Sequence, residues 1–151
     1  MFMLIHTLIG GLIGDYFHSV LFIILLSIAS HFFIDMIPHW DGGDFDKGLF
    51  HKTGMVFVGK LSTIVHVVDL IVCIFLMTFL YKEFHSKLML IGAIAAIVPD
   101  IAKWGYATKL KRNRHFMNYL KFHAKIQKDA NWKLGLFIQI AILILLIVML
   151  F

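Results

Sequence analysis

The chain has 151 residues, of which 60% are hydrophobic, a formal net charge of +5 and a mean hydropathy of +0.87. That length holds one domain, and that hydropathy excludes an ordinary soluble globule. The single cysteine, Cys73, excludes a disulfide framework and a thiolate zinc site, so any bound metal has to be held by histidine and carboxylate.

The first apolar window, 2–14, lies in "MFMLIHTLIGGLIGDYF", which lacks a charged leader and a small-residue cleavage site. It is therefore expected to stay as a helix rather than to be removed as a signal peptide. His6, Gly10 and Gly14 recur at four-residue spacing and share one helical face. Asp15 and His18 fall where this helix ends and the next begins.

Window 18–37 is long enough to cross roughly 30 Å of hydrocarbon at about 1.5 Å per helical residue. It closes on "SHFFIDMIPHWD", in which Ser27, His31 and Asp35 share a face and His39 and Asp41 follow Pro38. The run "DGGDFDKG" at 41–48 lacks the glycine spacing of an EF-hand and reads as a turn-rich loop; His51 beyond it reads as a surface residue.

Window 55–81 is the second confident span, with Ser62, His66, Asp69 and Cys73 as its polar stripe. His85 belongs to the loop that follows. Window 88–101 is short, like 2–14; each fits a tilted span, a re-entrant piece or a helix buried among the others, and both are read as helices packed in one bundle. It offers Gly92 and Ala96, a small-residue pair that permits close backbone approach, and ends on Pro99 and Asp100. Segment 103–128 is basic throughout, from Lys103 to Lys128, with no acidic residue, and 132–151 is the last span.

The expected fold is all-α: a single domain over 1–151, a polytopic bundle of about four to five membrane helices plus a basic interfacial helix. By the positive-inside rule, segment 103–131 and the N-terminus face the cytoplasm of a multi-pass protein in the cell membrane. A basic run with Phe116, Tyr119 and Phe122 also fits nucleic acid, but a helix on the anionic inner leaflet, with Leu110, Met117 and Leu120 on one face, is the preferred reading. A faint internal echo pairs His6 and the later Pro38-His39 with His66 and the later Pro99-Asp100, as two hairpins of one design.

Ionisable groups at the centre of a membrane helix cost about 2.5–3.5 kcal/mol each on insertion scales, and are usually paired or functional. Here His6, His31, Asp35, His39, Asp41, His66, Asp69 and Asp100 are the candidate metal ligands. Imidazole and carboxylate suit a divalent transition metal, zinc first and manganese or iron next. So many ligands point to one or two ions; two ions about 3.5–4 Å apart clamp a phosphoryl oxygen and generate hydroxide, which is hydrolase chemistry. Asp35 and Asp69 are the candidates for bridging ligand or general base.

"HTLIGGLIG", "SHFFIDMIPHWD" and "AAIVPDI" resemble the small membrane-bound metal-dependent hydrolases, the family of the LexA-regulated bacterial inner-membrane hydrolase. A more distant likeness, confined to His31, Asp35 and His39, is to the helical zinc-dependent phospholipase C and P1 nuclease group. The first resemblance covers helices one to four and implies a helical fold with a hydrolytic metal site that includes His6 and Asp100. The family pattern has a second acidic residue two positions after that aspartate and a later histidine-rich segment. Here Ala102 takes the first place, and only His115 and His123 could supply the second.

Together these features give a metal-dependent membrane hydrolase acting on a phosphoester or related bond of a lipid or lipid-linked substrate. Arg112 and Arg114 would hold phosphate, and His115 and His123 would cap the pocket. The competing classes are a proton or ion transporter and a structural protein whose His and Asp are packing groups. A conduit needs polar groups at both faces, whereas Val20–Leu26 and Ile74–Leu80 are apolar except for Thr78, which favours a one-sided pocket.

Overall fold

The computed structural model describes residues 1–42, 60–107 and 109–150, and among these it is all-helical with no strand. The described residues form six α-helices in the order α1 Met3–Tyr16, α2 Val20–Asp35, α3 Lys60–Phe84, α4 Lys87–Lys103, α5 Arg114–Ile126 and α6 Trp132–Leu150. Two 3-10 turns, Trp104–Ala107 and Lys109–Arg112, link α4 to α5. The loop read at 41–48 beyond Gly42, His51 and the start of window 55–81 lie outside the described residues.

Local chemistry sets the helix starts. Ser86 accepts from the Met89 amide at 3.2 Å, and Asn113 accepts from the amides of His115 and Phe116 at 2.8 and 3.1 Å. Each side chain satisfies amide donors that the first helical turn leaves without a partner.

Among the described residues, two helices are long and apolar enough to cross a membrane: Leu61–Phe84 within α3 and Trp132–Leu150, with mean hydropathies of 2.4 and 2.7. Only 17% of the most apolar window in each is buried, whereas the core helix of a soluble protein is mostly buried. Phe75, Phe137 and Val148 stand outward at 70% exposure or more. The expectation of four to five spans rested on apolar windows; α1, α2 and α4 are helices of 14, 16 and 17 residues, short of the roughly 20 an upright span needs.

α1 is the axis of the fold. Ile5 and Leu8 pack with Leu146 of α6, and Met3 packs with Cys73 of α3 and Ile97 of α4. Its glycine face meets α4: a Cβ on Gly10 would strike the Gly92 carbonyl, one on Gly92 would strike the Gly10 carbonyl, and one on Gly14 would strike Leu88. No side chain larger than hydrogen fits there, so α1 and α4 touch backbone to backbone.

The two hairpins of the internal echo differ. α2 stops at Asp35, before Pro38, whereas α4 continues through Pro99 to Lys103. Proline lacks one amide donor, so the helix can run on with a single missing bond where packing holds it. That continuation keeps Asp100 and Lys103 on one helix, three residues apart, where their side chains meet.

Candidate metal centre

The start of α1, the ends of α2 and α4, and α5 meet at one end of the bundle. The chain after α5 locks this end: His39 donates its amide to Lys128 O at 3.1 Å, Ala130 donates to His39 O at 2.8 Å, and Lys128 donates to Asp35 O at 3.1 Å. The Tyr119 hydroxyl donates to Pro99 O at 2.6 Å, tying α5 to α4. The Trp40 amide donates to Gln139 of α6 at 3.3 Å. A basic, largely exposed helix is thereby pinned so that its two buried side chains, Leu120 and His123, face inward.

Inside, His31, Asp35, Asp100 and His123 each offer a ligand atom, and these atoms all lie within 4.8 Å of one another. His31 Nε2 is 2.9 Å from His123 Nε2, 3.5 Å from Asp35 Oδ2 and 3.8 Å from Asp100 Oδ1, and His123 Nε2 is 3.4 Å from Asp35 Oδ2. Ligands on a tetrahedral zinc with bonds of about 2.0–2.1 Å stand about 3.3–3.4 Å from one another, in the middle of these separations.

Proton positions follow from the partners. His31 Nδ1 is 2.8 Å from the Ala96 carbonyl, which can only accept, so Nδ1 carries the hydrogen and the neutral ring turns the Nε2 lone pair into the cluster. Such a carbonyl partner is the usual device that fixes the tautomer of a metal-bound histidine. Burial, reinforced by the Lys103 ammonium, pushes the His123 imidazole down to about 2, so this ring too is neutral. Asp35 Oδ2 and His123 Nδ1 are buried without a hydrogen-bond partner. Two imidazoles and two carboxylates gathered at this density are of the type and spacing that could hold a divalent cation.

Lys103 is buried with its Nζ 2.6 Å from Asp100 Oδ1, which fixes that carboxylate. On the other side of Asp35, Oδ1 lies 3.2 Å from His6 Nε2, 4.0 Å from His39 Nε2 and 2.9 Å from the Met1 nitrogen. Asp41 is 3.3 Å from His39 Nε2 and accepts from Gln127.

Of the residues singled out from sequence, the fold brings together His6, His31, Asp35, His39, Asp41, Asp100 and His123. Asp69 and His66 are placed elsewhere. Asp69 accepts the backbone amides of Met3 and Leu4, the latter at 3.1 Å, and so caps the start of α1; His66 Nδ1 donates to Ser62 O at 2.7 Å within its own helix. Arg112, Arg114 and His115 are exposed, so His115 and His123, eight positions apart, point different ways. Lys103 and Gln127 carried no sequence expectation of a site role. The spacing of Lys103 three after Asp100 was the available signal for the first; nothing local marks the second.

Comparison of the chain with known protein families, with curated proteins and with solved structures finds no match.

Proposed function

We propose that this chain is a multi-pass membrane protein that binds a divalent transition metal, zinc first, between α2, α4 and α5, and hydrolyses a phosphoester bond in a lipid or lipid-linked substrate. The observation that carries this reading is the convergence of two imidazoles and two carboxylates, all buried, with ligand atoms within 4.8 Å. Lys103 and the Met1 nitrogen serve one oxygen each of Asp100 and Asp35, while Asp35 Oδ2, between His31 and His123, has no hydrogen-bond partner.

Bound there, a divalent metal would polarise a phosphoryl oxygen and lower the pKa of a coordinated water toward neutrality. The chain supplies the rest. His31, Asp35, Asp100 and His123 hold the ion, the Ala96 carbonyl and Lys103 orient two of those ligands, and the apolar walls of α1 and α2 limit water. Exposed Arg112, Arg114, Lys121 and Lys125 surround the same end of the bundle and suit an anionic head group. α1, α2 and α4, though short, complete the bundle between the two long spans, with the basic end in the cytoplasm. The resemblance of "HTLIGGLIG", "SHFFIDMIPHWD" and "AAIVPDI" to the small membrane-bound hydrolases supports the same class.

The test is metal content per chain by elemental analysis of the detergent-purified protein beside a His31→Ala, Asp35→Ala double variant, followed by phosphate release from mixed phospholipid micelles. Bound zinc, manganese or iron that is lost in the variant, together with metal-dependent phosphate release, is expected. A wild-type protein that takes up none of these metals after reconstitution would refute the reading.

A further inference from the structure

All three tryptophans of the chain stand at the end of the bundle that holds the cluster: Trp40 follows α2, Trp104 follows α4 and Trp132 opens α6. Trp104 and Trp132 are exposed. Both long spans begin here too. The Ser62 hydroxyl, in the first turn of α3, donates to Asp41 O at 3.2 Å, and α6 starts two residues after Ala130, which donates its amide to His39 O. Exposed tryptophan at the ends of membrane helices marks the level where hydrocarbon gives way to head groups. α5 ends at Ile126, six residues before Trp132, and is tied to α4 at Pro99, so it lies at that level.

The two sides of α5 differ in kind. At 3.6 residues per turn, Arg114, Asn118, Lys121 and Lys125 fall within about 60° of one another, and all four are exposed. Tyr119, Leu120 and His123 fall on the opposite side, against Pro99 and the cluster. Segment 103–128 has no acidic residue, so the stripe is not neutralised from its own helix. On the flank, the exposed Phe122 meets the Phe32 ring edge-on at 5.6 Å, at the end of α2 that leaves Phe33 and Met36 exposed. Apolar groups beside a row of cations are what a helix lying in a bilayer surface presents: the rings enter the acyl boundary while the charged groups stay level with the phosphates. A nucleic acid or an acidic protein would use the cations and leave Phe33, Met36 and Phe122 in water.

We propose that the stripe of Arg114, Lys121 and Lys125 is a docking surface for anionic phospholipid of the surrounding leaflet, and that this contact sets the metal affinity of the cluster through His123. α5 supplies one of the four ligand groups, and its inward turn is held by Tyr119 on Pro99 and by the pairing of Lys128 with Asp35 and His39. A lipid that binds the docked position of α5 favours that position, and so does a metal held by His123. Two ligands that favour one state raise each other's affinity. The coupling rests on the metal reading of the cluster; the docking surface does not.

The full-length protein is placed in nanodiscs of phosphatidylcholine alone or of phosphatidylcholine mixed with phosphatidylglycerol. Hydrogen–deuterium exchange of the α5 amides is followed without metal, and zinc affinity is measured by competition with a chelator. In the anionic bilayer α5 should exchange more slowly and zinc should bind at least about 5-fold more tightly, the low end of coupling between linked sites. Both differences should vanish in a Lys121→Gln, Lys125→Gln variant, and in wild type at about 1 M salt, where the screening length falls to about 3 Å. The variant shares the bilayer, so enrichment of zinc at an anionic surface is common to both proteins. Equal exchange in the two bilayers overturns the docking surface. Slower exchange with unchanged zinc affinity overturns the coupling. Slower exchange in a protein that takes up no zinc in either bilayer refutes the metal reading and the coupling with it, and leaves the docking surface standing. Slowing by duplex oligonucleotide added to phosphatidylcholine nanodiscs, with none from anionic lipid, assigns the stripe to nucleic acid instead. If the variant fails to fold, the salt dependence of the wild type decides.

Discussion

His31 Nε2 and His123 Nε2 stand 2.9 Å apart, 92 residues apart in sequence, and both rings are buried. Because His31 spends its one hydrogen on the Ala96 carbonyl, only His123 could donate between them. A metal between the two rings would use both Nε2 lone pairs at once, with the single hydrogen of the neutral His123 ring on Nδ1.

His123→Ala should therefore weaken zinc binding by at least about 100-fold, more than the 10- to 100-fold typical of losing a residue that merely orients a ligand. Competition against a chromogenic chelator measures it. His115→Ala, eight positions earlier and exposed, should leave the affinity unchanged.

The contact between α1 and α4 yields a stability prediction. Gly92→Val places a branched side chain against the Gly10 carbonyl and the Gly14 amide, where backbone cannot yield as a flexible side chain would. Overpacking of this kind costs about 1–3 kcal/mol or more. Thermal unfolding in detergent, followed by circular dichroism, should show a clear fall in Tm, while Gly11→Ala, whose Cβ meets only the Leu80 side chain at ordinary contact distance, should be nearly neutral.

Much of this arrangement could be read from local spacing. The i, i+4 pair His31 and Asp35, the glycine face of α1 and the small residues of α4 are properties of single helices, and a 3.6-residue period exposes them. What could not be read depends on how helices meet. Segment 103–131 looks uniformly basic, and nothing in it separates His123 from His115, because the inward turn of α5 is set by Tyr119 on Pro99 and by the Lys128 pairing with Asp35 and His39. Asp69 sits on a polar stripe much like that of α2, but what faces it is the amide end of α1 rather than other ligands. The number of spans is not legible in apolar windows for the same reason: among the described residues two helices reach spanning length, while enclosure by neighbours, as at α1, and lipid exposure leave one signature in composition.

Asp69→Ala separates a cap from a ligand. Losing the acceptor for the Met3 and Leu4 amides should lower stability by about 0.5–2 kcal/mol, the range for helix caps. Metal content per folded chain should not change. Elemental analysis beside a thermal melt checks both, and a loss of metal without a loss of stability would make Asp69 a ligand instead.

Lys103→Met tests how charge is balanced at the cluster. Lys103 Nζ and Asp100 Oδ1 form a buried pair at 2.6 Å, and removing one partner of such a pair typically costs about 3–5 kcal/mol because the other charge is left uncompensated. A bound divalent ion supplies positive charge to the same carboxylate, so it should recover part of that loss by binding only the folded state. The melting temperature of Lys103→Met should therefore drop steeply in EDTA and rise on adding zinc, by more than zinc raises the wild type. If Asp100 serves only as the partner of Lys103 and never meets a metal, zinc would leave the variant as unstable as EDTA does, and the double variant Lys103→Met, Asp100→Asn would be the more stable of the two in either buffer.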